Sequence, residues 1–252
     1  MGDTDSVTVD PHKLGYLPYG TGAFVCRDHR AMALLTEQAD YVFNGHAPTD
    51  YMTRYRSLGQ FIPEGSKPGA SAAAAYVAHQ VMPLEHAHFG RLTGATIHAA
   101  EAFYAAAQKF AADMIGRAHV MVPFEPDSNL VCLAINPWGN TGVAHANAFV
   151  QQLYGTLRCD PSRPLQMKEF FGSMTSLQPE RLGAFDTARI LAALGLDTGT
   201  LALGQESDRL MILRHTLMNP YLLDAQNGSN YIERYFEFLG SQIHALTRAD
   251  AA

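Results

Sequence analysis

Lys13 has the clearest potential for covalent chemistry in this chain, because it follows a histidine between two apolar runs. Residues Ser6–Asp10 alternate and are rich in β-branched side chains, which predicts a short strand that ends at Pro11. Residues Ala23–Cys26 predict a second, buried strand after a turn rich in glycine and proline. An ammonium group held between buried strands loses proton affinity and becomes the amine nucleophile that a Schiff-base lysine requires. A solvated lysine in a β-hairpin turn is the alternative that the spacing leaves open.

The segment around Lys13 resembles the cofactor site of a known enzyme family. The run Asp10–Lys13 (DPHK), followed by Gly15–Tyr19 (GYLPY), is similar to the pyridoxal-phosphate (PLP) site of the group II amino-acid decarboxylases, especially the bacterial tyrosine decarboxylases. The resemblance implies that Lys13 forms the Schiff base with PLP. It also implies that His12 lies against the phosphate side of the cofactor. We expect Tyr19, in the same segment, to contact the substrate.

A predicted loop after this turn carries a candidate proton donor. Residues Asp40–Tyr55 mix aromatic and polar side chains with glycine, proline and asparagine, which predicts a long loop of the kind that forms lids. The resemblance places the mobile catalytic loop of the family here. It implies that the phenol of Tyr41 protonates the substrate carbon from which CO2 has left. Tyr51 and Tyr55 are rivals for that role, and a Tyr41 that only packs the loop down is the alternative.

A turn of small residues, Glu64–Ser71, leads into an alanine-rich helix predicted over Ala70–Val81. Backbone N–H groups at the start of a helix favour anions. The resembled family has a similar segment near the cofactor phosphate of the neighbouring subunit. The resemblance therefore implies that Ser66 contacts the phosphate and that the active site is completed across a dimer. A plain turn and helix cap is the alternative.

Arg214 ends an apolar run, Arg209–Arg214, that predicts a strand. A guanidinium in such a place needs a partner, and its fork binds a carboxylate through two hydrogen bonds. The segment Leu213–Pro220 resembles a stretch of the decarboxylases in which this arginine binds the substrate carboxylate, which implies the same role for Arg214. Thr216, with His215, then lines the pocket for the substrate side chain. An internal salt bridge of Arg214 is the alternative.

The remaining patterns predict an α/β chain in two parts. Apolar residues at three- and four-residue steps predict one long helix within Pro83–Asp113. After Val120, short apolar runs mixed with helical segments predict a small α+β domain with an antiparallel sheet. Its predicted strands include His119–Pro123 and Leu130–Ile135, and its predicted helices are Gly142–Leu157, Pro179–Leu194 and Asn230–Leu246. With the resemblance, residues 1–115 are expected to be the end of a fold type I PLP-transferase large domain, and residues 116–252 the small C-terminal domain.

Composition argues against several other classes of function. The chain has 252 residues and a formal net charge of −6, and it lacks runs of Lys or Arg, which argues against a nucleic-acid partner. It has no apolar run of roughly 18 residues and no hydrophobic leader, so we expect no membrane span and a cytoplasmic location. Three scattered cysteines, and histidines without a zinc-binding pattern, predict no metal site.

The predicted strand before Lys13 begins almost at the first residue, although a strand buried on both faces needs neighbours. In the resembled family the lysine lies past the middle of a longer chain. The sequence therefore predicts the C-terminal part of a decarboxylase, acting as a homodimer or paired with a chain that carries the N-terminal half. The predicted reaction is PLP-dependent decarboxylation of an L-amino acid, with the GYLPY segment favouring an aromatic, tyrosine-like substrate. An inactive fragment or dimerisation module and a PLP-dependent carbon–carbon lyase are the alternatives.

Overall fold

The computed structural model describes residues 2–28, 30–31, 34, 67–162, 164–201, 207–224 and 228–249. Contacts within the chain divide it into two units, Met1–Gly90 and Arg91–Ala252. The division falls near the start of the long helix predicted within Pro83–Asp113. It does so because that helix contributes several residues, from Ala99 to Phe110, to the core of the second unit.

The first unit contains one antiparallel pair of strands and one helix. Strands β1 (Ser6–Val9) and β2 (Ala23–Cys26) pair so that Ser6 lies opposite Cys26 and Val9 opposite Ala23. Helix α1 spans Ala70–Val81. The predicted positions of these three elements are confirmed.

The prediction that β2 is a buried strand is wrong for this structure, and β1 is also largely exposed. Phe24 and Val25 are 59% and 61% exposed, and helix α1 has no buried residue. Among the described residues, β1 and β2 form a sheet of two strands with no further neighbour. A ribbon of two strands does not cover its own faces, so its apolar side chains remain in solvent.

The second unit is built on a four-stranded antiparallel sheet with the order β3-β4-β6-β5. Its strands are β3 (Ala118–Met121), β4 (Leu130–Pro137), β5 (Ser173–Leu177) and β6 (Leu210–Thr216). The apolar runs predicted as strands form β3, β4 and β6, and the antiparallel arrangement is confirmed. β5 was not predicted, because this edge strand is made of half-buried, mostly small polar residues. Two short strands, β7 (Leu223–Asp224) and β8 (Ser229–Asn230), form a separate pair.

Five α-helices accompany this sheet in the described part of the chain. They are α2 (Phe89–Asp113), α3 (Val143–Leu157), α4 (Pro179–Leu182), α5 (Ala184–Ala193) and α6 (Tyr231–Ala249). The helix predicted over Pro179–Leu194 is broken at Gly183, whose φ of +79° is a left-handed value that favours glycine. None of the described helices is both long enough and apolar enough to cross a bilayer.

Apolar residues of β4 and β6 alternate between two clusters, so both faces of the sheet are covered. Leu133 and Leu213 pack with α2, α3 and α6, while Ala134 and Ile212 pack with α5. Because side chains alternate along a strand, Arg214 and Thr216 at the end of β6 share one face. The sheet thereby places both residues beside each other, at the edge of the core.

Candidate functional site

The segment that joins β1 to β2 carries three of the predicted site residues. Its first part is held by backbone hydrogen bonds: Lys13 N–H donates to the Asp10 carbonyl over 2.9 Å, and Leu17 N–H to the Pro11 carbonyl over 3.1 Å. A Cβ on Gly15 would overlap the Pro11 carbonyl, so only glycine fits there. Lys13 is therefore presented by a tightly folded loop.

The amine of Lys13 forms an ion pair with Asp10 and is open to solvent. Nζ lies 2.5 Å from Oδ2 of Asp10, and 63% of the lysine side-chain surface is exposed. The hydrogen bond from Lys13 lowers the pKa of the Asp10 carboxyl. The expectation of a lysine between buried strands is wrong for this structure, because both flanking strands are largely exposed. The described residues provide instead an accessible primary amine beside a histidine.

His12 and Tyr19, which flank Lys13 in the same segment, lie against each other. Nδ1 of His12 lies 2.8 Å from the Thr21 carbonyl oxygen, and because a carbonyl only accepts, Nδ1 carries the proton. The ring centroids of His12 and Tyr19 are 4.6 Å apart. Thr21 is buried, and its hydroxyl donates to the Pro18 carbonyl over 2.6 Å. The imidazole is thus fixed by the turn, whereas Tyr19 is 87% exposed.

Two predicted site residues, Tyr41 and Ser66, lie outside the described residues. The structure does describe the start of the helix that follows Ser66. A Cβ on Gly20 would lie 2.6 Å from Oγ of Ser71, so the turn after Tyr19 lies against the first turn of α1.

A cavity of about 330 Å³ lies at the end of β6 in the second unit. Arg214, His215 and Thr216 all line it. Its walls also include five phenylalanine and tyrosine side chains: Phe103, Phe170, Phe171, Tyr231 and Tyr235. The structure therefore brings together, in one pocket, the arginine and the threonine that the sequence predicted as substrate-binding residues.

Ser173 at the start of β5 holds Arg214 by two hydrogen bonds. Nε of Arg214 donates to Oγ of Ser173 over 3.1 Å, and the Ser173 hydroxyl donates to the Arg214 carbonyl over 2.9 Å. No carboxylate within the described ranges forms an ion pair with Arg214, so the internal salt bridge considered above is not found there. A guanidinium anchored through Nε keeps its terminal N–H groups for a planar anion.

His215, the residue after Arg214, forms a buried and uncharged pair with Tyr235. Nδ1 of His215 lies 3.2 Å from the Val131 carbonyl, to which it donates, and Nε2 accepts from the Tyr235 hydroxyl over 2.5 Å. Burial lowers the pKa of His215 to about 4 and raises the pKa of Tyr235. Both groups are therefore neutral near pH 7, and they line the pocket without adding charge.

Among the pocket residues that the sequence analysis did not identify, three show different reasons for being missed. Phe103 lies in the apolar pattern of α2, which predicts burial but no particular cavity. Tyr235 is one of several aromatic residues in α6, and nothing in their spacing reveals a hydrogen bond to His215. Ser173 contacts Arg214 across 41 positions of sequence, through a strand pairing that only the sheet register shows.

No group of three or more His, Cys, Asp or Glu side chains that could hold a metal ion occurs in the described part of the chain. His88 and His98 instead lie near carboxylates of their own segments, Glu85 at 3.5 Å and Glu101 at 3.1 Å.

Comparison with known proteins identifies similar chains of greater length. A family model described as tyrosine decarboxylase, C-terminal, matches residues 99–242. The chain is 30% identical over 244 residues to an L-tyrosine decarboxylase of Enterococcus faecium, and 28% identical over 247 residues to that of Levilactobacillus brevis. These matches cover 96% and 98% of this chain, which spans 37% of the length of each relative.

A solved structure, that of Oryza sativa TDC with PLP and tryptamine, has a similar fold. The TM-score is 0.54 at 13% sequence identity, over 98% of this chain and 40% of the rice chain. This similarity concerns the fold alone.

Proposed function

The chain belongs to the tyrosine decarboxylase C-terminal family, and on this premise we propose that it is the C-terminal part of a PLP-dependent enzyme that decarboxylates an L-amino acid. The observation that carries the proposal is the pocket at the end of β6, where an anchored Arg214 adjoins aromatic walls. A guanidinium fork and apolar rings are the groups that recognise the carboxylate and the side chain of an aromatic amino acid. The chain spans 37% of its curated relatives, so the activity belongs to the assembled enzyme.

The residues around Lys13 suit PLP in their chemistry. Lys13 offers an exposed primary amine for covalent attachment to the cofactor aldehyde, and His12 offers an imidazole held in place by Thr21. When bound, PLP supplies an electron sink for the charge left on the substrate carbon as CO2 departs. We assign the covalent attachment to Lys13 and contacts with the phosphate side to His12 and Ser66. Residues 1–115 then belong to the PLP-binding large domain, and residues 116–252 form the small domain.

Arg214 binds the carboxylate of the amino acid and orients it. Ser173 fixes Nε of the guanidinium, which leaves the terminal nitrogens to form paired hydrogen bonds with the two carboxylate oxygens. Thr216 lies on the same face of β6 and contacts the substrate side chain, a role that we also assign to Tyr19 in the first unit. Because His215 is neutral, Arg214 is the one permanent charge among the described residues of the pocket. With no second cation to bind a side-chain carboxylate, the described pocket favours a substrate with an aromatic side chain over one with an acidic side chain.

Proton delivery to the product carbon is assigned to Tyr41. A phenol is protonated at neutral pH and can donate to a developing carbanion. A predicted loop of the lid type around Tyr41 would also exclude water during the reaction.

The assembled enzyme is proposed to be a homodimer or a complex with a chain that carries the N-terminal half. Large apolar side chains of the first unit lie in solvent, as expected of surfaces that a partner covers. They include Val9, Phe24 and Val25 in the strands, and Tyr76, Val77 and Val81 in α1.

The test is covalent trapping followed by product analysis. The chain, with its partner where one is found, is incubated with PLP and reduced with borohydride, and the modified residue is mapped by mass spectrometry. We expect the pyridoxyl group on Lys13, its loss in Lys13→Arg, and no change in Lys109→Arg. With L-tyrosine we expect CO2 and the corresponding amine, whereas L-glutamate should react poorly.

Two results would contradict the proposal. Equal labelling of Lys13 and other exposed lysines in the assembled protein would favour an inactive module, which the solvent exposure of Lys13 also suits. Cleavage of a carbon–carbon bond of the substrate without release of CO2 would favour the alternative function, that of a PLP-dependent carbon–carbon lyase.

A further inference from the structure

Another cavity in the second unit, of about 630 Å³, has no part in the function proposed above. It is lined by four basic side chains: Arg117, His145, His244 and Arg248. None of its described lining residues is acidic. The basic residues come from three separate segments, namely the turn before β3, the first turn of α3 and the last turns of α6. The fold, rather than one basic run of sequence, therefore assembles this concentration of positive charge.

The two arginines of the cavity have no carboxylate partner among the residues that the structure describes. Both are exposed, and within the described ranges neither Arg117 nor Arg248 forms an ion pair with a carboxylate. The chain as a whole carries a formal charge of −6, whereas this cavity carries two guanidinium groups and no carboxylate among its described lining residues. Guanidinium groups bind phosphate oxygens through paired hydrogen bonds, and imidazole N–H groups can add further ones.

Trp138, the one tryptophan of the chain, gives the cavity a flat aromatic wall. The indole stacks on the ring of His119, with centroids 4.4 Å apart and 9° between the planes. Even so, 49% of the Trp138 surface remains exposed. An indole held from one side and open to solvent is a suitable surface for stacking a planar ring.

The loop that carries Trp138 is fixed before any ligand arrives. Trp138 N–H donates to the Arg117 carbonyl over 2.9 Å, which ties two lining residues together. The buried Asn136 donates to the Asn140 carbonyl over 2.8 Å and accepts from the Asn140 side chain over 2.7 Å. A site that is already ordered loses less entropy on binding.

We propose that this cavity binds an organic phosphate with a planar ring, of the nucleoside polyphosphate class. Arg117 and Arg248 bind the phosphates, and Trp138 stacks on the base. Two arginines from different elements suit a ligand with more than one phosphate. The volume lies within the range of about 300–1,000 Å³ that is usual for small-molecule sites.

The test is calorimetric titration of the full chain with ADP, with the fluorescence of Trp138 as the readout of the site. We expect saturable binding with a change in Trp138 emission. Arg117→Ala and Arg248→Ala should each weaken the affinity at least about tenfold, since each removes charge-assisted hydrogen bonds. Arg181→Ala, which removes an exposed arginine outside the cavity, should leave the affinity unchanged. Pyrophosphate should bind at least about fivefold more weakly than ADP, because it lacks a ring to stack.

Three results would overturn the proposal. They are the absence of saturable ADP binding, an equal loss of affinity in Arg181→Ala, and pyrophosphate binding as tight as that of ADP. Circular dichroism of each variant separates loss of the site from loss of the fold, which is not expected because the substituted arginines are exposed.

Discussion

The Tyr235 hydroxyl and Nε2 of His215 lie 2.5 Å apart and link helix α6 to strand β6 inside an apolar cluster. Phe103 of α2 packs against both rings, with centroid distances of 4.8 Å to His215 and 5.6 Å to Tyr235. Because the other ring nitrogen of His215 donates to Val131, the imidazole is held on two sides. The pair thereby fixes the end of β6, from which Arg214 and Thr216 enter the pocket.

Burial of His215 makes stability depend on pH. The pKa of His215 is lowered from 6.5 to about 4 in the folded chain, so the unfolded chain takes up a proton that the native state resists. The contribution of neutral His215 to the free energy of unfolding is complete above pH 6.5 and is lost as pH falls towards about 4. Its full size is on the order of 3 kcal/mol. Urea unfolding across this pH range should show the decline, and His215→Gln should lack it. If the difference in the free energy of unfolding between the wild type and His215→Gln did not vary with pH, His215 would not be the source of the pH dependence.

Removing the hydroxyl of Tyr235 should destabilise the second unit without opening a large cavity. Tyr235→Phe keeps the ring but leaves Nε2 of His215 without its donor in the core, which costs about 1–3 kcal/mol. Thermal and urea unfolding measure this loss. Tyr104→Phe is the matched control, since Tyr104 has no hydrogen bond among the described residues, and it should change stability by less than about 0.5 kcal/mol. Equal losses of stability in Tyr235→Phe and Tyr104→Phe would show that the hydrogen bond between Tyr235 and His215 does not stabilise the second unit.

Ser173→Ala should impair substrate binding more than turnover. The serine holds Nε of Arg214, so its loss lets the guanidinium move away from the position that we propose for binding the substrate carboxylate. In the assembled enzyme we expect KM for the amino acid to rise about three- to tenfold, with kcat little changed, as for a net hydrogen bond of about 0.5–1.5 kcal/mol. Ser176→Ala on the same strand is the control, because Ser176 has no side-chain hydrogen bond in the described structure. A similar rise in KM for that variant would argue against a specific role of Ser173.

Strand and helix positions could be predicted where the residue pattern follows burial. β4 and β6 contain the apolar runs Leu130–Ile135 and Leu210–Leu213 because both faces of the sheet are covered, and α2 repeats its apolar residues at helical steps. β5 could not be predicted, because an edge strand of serine, threonine and methionine lacks such a pattern. The break at Gly183 was also missed, since one glycine does not show whether its φ is positive.

The candidate site was predictable in its residue types but not in its surroundings. His12, Lys13 and Tyr19 are neighbours in sequence, and their proximity follows from the tight turn that glycine and proline predict. The solvent exposure of Lys13 does not follow from its own segment, because burial depends on what covers β1 and β2. The contacts of Arg214 and His215 could not be predicted either, because their partners Ser173 and Tyr235 lie in elements distant in sequence.

The loop that presents Lys13 should not tolerate a side chain at position 15. Gly15→Ala places a Cβ against the Pro11 carbonyl, so the hydrogen-bonded loop must open. We expect faster hydrogen exchange of the Lys13 and Tyr16 amides and weaker borohydride trapping of PLP, for a strain of about 1–3 kcal/mol. Gly22→Ala is the control in the same connection, because its Cβ would meet no atom within 4 Å. Unchanged exchange in Gly15→Ala would show that the loop adapts to the extra methyl group.

Asn136 is expected to govern both the stability of the second unit and the position of Trp138. Its buried amide donates to the carbonyls of Asn140 and Leu194, both over 2.8 Å, so Asn136→Ala leaves these two acceptors without their partner. We expect a loss of about 2–4 kcal/mol in the free energy of unfolding. The Trp138 emission of the folded protein should shift to longer wavelength, because the loop is no longer held. Asn219→Ala, which removes one exposed side-chain acceptor from the Tyr221 amide, should cost less than about 1 kcal/mol and leave the emission unchanged. If Asn136→Ala were as stable as the wild type, the carbonyls of Asn140 and Leu194 would have other donors. The loop that carries Trp138 would then not depend on the Asn136 side chain.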